Sequence, residues 1–235
     1  MEIINLASGS SGNCYIISDG ETDLLLECGI SFNEIIRRAG EYGKNIPRNC
    51  FITHSHQDHC KAWKNLERHG INIYASKGEL DAIGCTSGAV VNQKKVFQVG
   101  SFNIVGFQVM HNTPEPLGYV FASRNSGEQL LFVTDTWIID EQFGNISHLL
   151  VECNLDEDEL SNVIGDGHME NAIENHQSLR NLCIFLERLD KSRLQEIYLI
   201  HLSEDNICCE KAKNVVQAKF GFPVYICKKN GGIGC

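Results

Sequence analysis

The chain predicts an α/β fold with two β-sheets and helices on their outer faces. Short apolar runs broken by Gly and Asp turns crowd the first third, so strands outnumber helices there. Segments of helical spacing separate the later strands, as helix-covered sheets require. The longest apolar runs, such as Leu24–Leu26 and Leu130–Val133, fall far short of the roughly 18 residues of a membrane span.

The elements follow in order. Glu2–Leu6 reads as a strand, followed by the Gly/Ser loop Ala7–Gly12. Asn13–Ser18 runs to Asp19-Gly20, a strong hairpin signal, and Thr22–Glu27 returns. Ser31 with Glu34 three residues on forms a capping box that opens a short helix through Ile35-Ile36. Cys50–Thr53 is a short buried strand. Residues 61–69 read as helix, 71–75 as strand and 77–83 as helix; 95–110 carry two strands around Gly100. Leu117–Ser123 and Gln129–Thr134 flank the turn Asn125-Ser126-Gly127, and His148–Cys153 is a strand. Ala172–Leu189 has near-helical spacing, with His176 on its surface. Ile197–Ile200 is a strand, Glu204–Phe220 a helix and Pro223–Cys227 the last strand.

Of the 235 residues, 43% are hydrophobic and 21% charged, an ordinary globular composition. With no linker and no internal repeat, residues 1–235 are expected to form one domain. The net charge of −10 disfavours a protein that coats nucleic acid by bulk electrostatics. It leaves room for a phosphate substrate whose charge is met by bound metal. Eleven cysteines cannot all pair, none forms Cys-x-x-Cys, and several sit in apolar runs. They read as reduced core thiols of a cytoplasmic protein. The N-terminus lacks a basic patch before an apolar stretch, so no signal peptide and no membrane partner are expected.

The strongest signal is Thr53-His54-Ser55-His56-Gln57-Asp58-His59, directly after an apolar strand. Imidazoles suit zinc, iron and manganese, and carboxylates suit harder ions. In a turn, His54 and His56 can face one metal while Asp58 and His59 wrap to a second. Two ions roughly 3.5–4 Å apart can clamp both the attacking and leaving oxygens of a displacement.

His-x-His-x-Asp-His at a strand end resembles the signature of the metallo-β-lactamase superfamily. Its further ligands have candidates in order, each after a strand: His111, Asp135 and His201. The resemblance implies an αβ/βα four-layer sandwich with two central mixed sheets and two divalent metals, zinc or manganese, with iron also admitted. It implies that His54, His56 and His111 hold one metal, that Asp58, His59 and His201 hold the other, and that Asp135 bridges them. The superfamily's usual Asp after the third strand is replaced by Glu27, in Glu27-Cys28-Gly29, which is expected to orient a ligand imidazole from behind.

Within the superfamily, Gly9-Ser10-Ser11-Gly12-Asn13, Glu152-Cys153-Asn154, Gly167-His168 and His201-Leu202-Ser203 resemble the single-domain exonuclease-like branch of bacteria and phages. The interval between Asp135 and His201 is too short for the inserted domain of about 100 residues found in larger relatives. By this resemblance the protein is a dinuclear phosphodiesterase, most simply a nuclease of exonuclease type. Asp58 and Asp135 serve the catalysis with the metals, Ser10, Ser11, Asn13 and Ser203 serve the substrate, and His168 serves the leaving group or a phosphate oxygen. The alternatives are a hydrolase of cyclic nucleotides, which the negative charge favours, a lactone or thioester hydrolase, and a non-catalytic metal-bound interaction protein. The basic pairs Arg37-Arg38, Lys94-Lys95 and Lys228-Lys229 are candidates for a nucleic-acid patch and otherwise solvated surface. The oligomeric state has no sequence signal.

Overall fold

The structure is a computed structural model that describes residues 1–156, 175–203 and 206–234. Strands β1 (Glu2–Ala7), β2 (Cys14–Ser18), β3 (Asp23–Leu26), β4 (Asn49–Phe51), β5 (Asn72–Ala75) and β6 (Ala89–Val90) form one sheet in that order. Its first three strands are antiparallel, and β3 to β6 run parallel. The second sheet is β7 (Val96–Val99), β8 (Phe102–Gln108), β9 (Leu117–Ser123), β10 (Gln129–Val133), β11 (His148–Glu152), β12 (Glu196–Ile200), β13 (Val224–Cys227) and β14 (Ile233–Gly234), again in order. There β10 to β13 are parallel and the flanking pairs antiparallel.

The two sheets share a central core, and the strand period of two decides who enters it. Tyr15, Ile17, Leu24, Leu26 and Phe51 meet Phe102, Ile104, Tyr119, Phe121, Leu130 and Phe132 there. The alternate residues face outward. On the first sheet Leu6, Ile16, Leu25 and Cys50 pack under α1 (Phe32–Glu41), α3 (Trp63–Arg68) and α4 (Lys77–Ile83), with Ile35, Leu66 and Leu80 coming down from the helices. On the second sheet Leu131, Val133, Leu149 and Val151 pack under α5 (Leu179–Arg188) and α6 (Cys209–Phe220). The short α2 (Gln57–Cys60) lies at the strand ends between the layers. This is the four-layer αβ/βα sandwich. No helix of the described residues is long and apolar enough to cross a membrane. The described cysteines are all free, most of them buried.

Three local expectations are revised. Ser31 caps α1 by accepting from the Glu34 amide at 3.3 Å, but the Glu34 carboxylate turns to Arg37 and Arg38, so the box is half made. Of the helix expected over 172–189, residues 172–174 lie outside the described residues, Asn175 is helical, and after a break at 176–178 a helix runs Leu179–Arg188, where the Ser178 hydroxyl accepts from the Asn181 amide. Before it, the Gln177 amide donates to Glu152 instead of continuing a helix. The last helix begins at Cys209, five residues later than its periodicity suggested; residues 204 and 205 lie outside the described residues. Strands β6 and β14, two residues each, were too short to show a periodicity.

Candidate metal centre

Every donor leaves the carboxyl end of a strand on the same rim. β4 ends into Thr53-His54 and the α2 turn, β8 leads to His111, β10 to Asp135 and β12 to His201. Three rim residues adopt positive φ without being glycine: Glu27 at 61°, Asp135 at 48° and His201 at 51°. Such left-handed turns cost energy for side-chain-bearing residues and recur at functional sites, where they re-aim a side chain. Gly29 makes the packing beneath the rim possible. A Cβ there would lie 1.6 Å from the Asp58 carbonyl oxygen, because the loop after β3 presses directly on the α2 turn. Backbone bonds fasten that contact: Asn13 donates to the Asp58 carbonyl at 2.7 Å and Cys28 to that of His59 at 2.8 Å.

The side chains converge in four overlapping sets whose ligand atoms lie within 4.8 Å of one another. These are His54, His56 and His111; His54, His59 and Asp135; Asp58, His59 and His201; and Asp135, Glu152, His176 and His201. His56 Nδ1 and His111 Nε2 stand 3.1 Å apart, and the buried His54 Nε2 has no protein hydrogen-bond partner. Imidazole nitrogens facing one another with an orphaned lone pair fit a shared cation better than one another. Around the second cluster, His59 Nε2 is 3.0 Å from Asp135 and 3.3 Å from Asp58, and His201 Nε2 is 3.4 Å from Asp58. The donor set therefore fits divalent-cation binding.

A ring of groups behind the donors sets which nitrogen faces inward. Thr53 Oγ1 meets His54 Nδ1 at 2.9 Å, and the Asn175 carbonyl meets His111 Nδ1 at 3.2 Å. Glu152 accepts from His201 Nδ1 at 2.9 Å, leaving Nε2 for the site. Glu27 is fully buried; its carboxylate accepts from the Thr53 amide and lies 3.4 Å from His59 Nδ1.

Burial and charge oppose one another throughout. Burial works against a charged His59, yet Asp135 and Glu27 outweigh it and hold its pKa well above the usual value. Burial likewise disfavours the His201 imidazolium, but Asp135, Asp58 and Glu152 raise its pKa to about 9. Burial would raise Asp58 and Asp135, but the surrounding imidazoles hold both well below the usual carboxylate range. For His54 burial prevails, helped by His59, and its pKa falls.

Three residues assigned no site role from the sequence stand at the centre: His176, and Glu152 and Asn154 of the Glu152-Cys153-Asn154 element. His176, expected on a helix surface, instead turns into the site: its Nδ1 is 2.6 Å from Glu152 and 3.2 Å from Asp135. Burial opposes its charge, but Glu152 and Asp135 raise its pKa to about 11. Glu152 is the buried end of β11, and Asn154 donates to the His201 carbonyl at 2.8 Å. The signal for Glu152 was present, a carboxylate at the end of an apolar strand just as in Asp135. His176 was concealed by the helical spacing around it.

A cleft of about 480 Å³ opens over the donors, lined among others by Ser10, Ser203, Asn154 and His176. Ser10 and Ser203, expected to serve the substrate, line this cleft. Ser11 is exposed and does not line the cleft. Asn13 is a correction: it is 1% exposed, its amide accepts from Gly9 at 2.9 Å and meets His59 Nε2 at 3.1 Å, so it braces the site from below and cannot touch a substrate. His168 lies outside the described residues.

A two-sheet sandwich with this rim of His and Asp donors defines a metal-dependent hydrolase of the metallo-β-lactamase fold. The chain belongs to the family described as the beta-lactamase superfamily domain, which matches residues 25–201. It is 27% identical over 233 residues to exodeoxyribonuclease YycJ of Bacillus anthracis, covering 88% of this chain and 84% of that protein. It is 28% identical over 229 residues to exodeoxyribonuclease WalJ of Streptococcus pneumoniae serotype 2 strain D39, covering 86% and 81%. In fold it is similar to the metallo-beta-lactamase fold protein YhfI from Bacillus subtilis, with a TM-score of 0.73 at 16% identity over 99% of this chain and 98% of that one.

Proposed function

We propose that the protein is a dinuclear phosphodiesterase, a nuclease of exonuclease type. The observation that carries the reading is the donor set itself, four overlapping groups of His and carboxylate donors, two of which contain Asp135, beneath an open polar cleft. The near-full-length likeness to proteins named exodeoxyribonucleases supports the choice of substrate.

In this reading His54, His56 and His111 hold one ion, Asp58, His59 and His201 the other, and Asp135 both. Divalent ions, zinc or manganese, supply Lewis acidity and activate water near neutral pH when bound. The chain's own part is orientation and proton handling. Glu27 and Glu152 hold His59 and His201 in place. His176 keeps a proton at Nδ1 against Glu152, and its ring lines the cleft, placed to hold a phosphate oxygen or protonate a leaving oxygen. Ser10 and Ser203 offer hydroxyls to the phosphate. His168 keeps the leaving-group or phosphate role proposed from the sequence as an alternative to His176.

The test is metal content together with cleavage by manganese- and zinc-loaded protein on end-labelled single-stranded DNA, RNA and cyclic dinucleotides. The expected result is about two ions per chain and DNA shortened progressively from an end. Protein carrying its metals that cleaves a lactone or thioester, and no phosphodiester, overturns the reading. The charge of −10 favours one second reading, a hydrolase of small cyclic phosphodiesters, which the same substrate panel separates.

A further inference from the structure

We propose that the groove leading from the metal centre past Ser10 and Ser203 to Lys228 and Lys229 is a second phosphate subsite, which takes a non-scissile phosphate of a nucleic-acid strand. The proposal rests on the phosphodiesterase reading and deepens it, because only a substrate with more than one phosphate can use both ends.

The groove is a distinct cavity of about 400 Å³, whose wall includes Ser8, Ser10, Ser203, Lys228 and Lys229. Ser10 and Ser203 also line the cleft over the donors, so the two spaces share a hydroxyl-bearing wall. Neither hydroxyl has a hydrogen-bond partner among the described residues, whereas Ser8 Oγ is committed to the Tyr15 hydroxyl and the His201 amide. That last bond, at 2.8 Å, ties the groove's floor to a metal-site residue.

The charge of this wall runs against that of the molecule. The chain carries a net −10, yet among the described residues two lysines and no Asp or Glu line the groove. Lys228 has no ion-pair partner among the described residues. Cys209, the first residue of the twelve-residue helix α6, is also in the wall, so the positive end of the helix dipole adds to the lysines. Excess positive charge beside a polyanion's path is what a phosphate contact needs.

The turn that presents the lysines is fixed. The Asn5 side-chain amide donates to the carbonyls of Lys228 and Gly232, both at 2.8 Å, and the Gly232 amide donates back to the Asn5 carbonyl at 3.0 Å. Gly231, at φ 91°, sits so close to β1 that a Cβ would be 2.8 Å from the Leu6 carbonyl oxygen. The basic pair is thus held on a turn locked to the first strand.

The test compares wild type, K228A/K229A, K228R/K229R and a control of equal charge change, K77A/K219A. Binding of a fluorescein-labelled thymidine decamer to chelator-treated protein is read by anisotropy across salt concentrations. In parallel, turnover of the metal-loaded proteins is measured on the decamer and on bis-p-nitrophenyl phosphate, which has a single phosphate. K228A/K229A should weaken decamer binding about tenfold and reduce the slope of log K against log salt by about 1.4, the share of two single-strand phosphate contacts. Its KM for the decamer should rise, its turnover of bis-p-nitrophenyl phosphate should match wild type, and the arginine and control variants should behave as wild type. Unchanged decamer affinity, or an equal loss on both substrates, overturns the subsite and leaves the phosphodiesterase reading standing. Wild type that cleaves neither substrate while binding the decamer through these lysines overturns the phosphodiesterase reading and supports the anion subsite.

Discussion

His176 shows what one side chain gains from its neighbours. Glu152 and Asp135 hold its proton, with a pKa of about 11, although it is largely enclosed. His176 is not among the residues proposed to hold the ions, so removing it should spare the metals and leave Glu152 Oε1, which the two imidazoles share, to His201 Nδ1. His176→Ala is expected to keep wild-type metal content and lower turnover of unactivated DNA by about 10²–10⁴-fold, the usual worth of general acid–base catalysis. The loss should shrink on a nitrophenyl ester, whose leaving group needs little protonation. Parallel kinetics on both substrates check this; an equal loss on both assigns His176 to phosphate binding instead. Asp58→Ala acts differently, because Asp58 faces both His59 and His201. It should mainly empty that one cluster, read as a fall toward one ion per chain.

Among the elements, the loop after β3 and the α2 turn are a single unit. Two backbone hydrogen bonds, from Cys28 to the His59 carbonyl and from Ala62 to that of Cys28, and the absence of a Cβ at Gly29 press them together. Gly29→Ala puts a methyl against the Asp58 carbonyl, backbone that cannot move without displacing Asp58 and His59. A cost on the order of 3 kcal/mol is expected, at the upper end for overpacking. Denaturant unfolding and metal content should fall together in this variant, whereas Gly127→Ala, where nothing lies within 4 Å of the added Cβ, serves as a local control of turn strain alone. A Gly29→Ala protein with wild-type stability and metal content would contradict the close packing described.

At the scale of the whole molecule, the rim is a store of opposed charges that metal and protons compete for. In the metal-free protein the His201 pKa stands at about 9, above the roughly 6.5 of an unfolded histidine. Its protonation stabilises the metal-free fold fully below that unfolded value and is lost as pH rises through about 9. Bound metal replaces that proton, so metal affinity should rise with pH over the same window. The melting temperature of chelator-treated protein should therefore fall between pH 7 and 9 relative to the metal-loaded form, widening the gap between them. A gap independent of pH would remove His201 from the ligand set. The carboxylates act at the other end: Asp58 and Asp135, held below the usual range, stabilise the fold above about pH 4 and lose that contribution as pH falls.

The sequence by itself determined the layered fold and the inventory of donors. Strand alternation in runs such as Leu130–Val133 fixes which residues face the shared core, and an ordered series of His and Asp at strand ends marks the rim, because both are local patterns. It could not show which side chains stand behind the donors. His176 and Glu152 are twenty-four residues apart in the chain and meet only because β11 and the turn before α5 share an edge. Asn13 follows a Gly/Ser loop that looks made for a phosphate, yet tertiary packing buries it under His59. Lys228 and Lys229 read as solvated surface until the Asn5 bonds place their turn beside Ser10 and Ser203. Periodicity is a property of neighbours along the chain, whereas the orientation of an imidazole or the sign of charge in a groove depends on segments brought together only when the two sheets close.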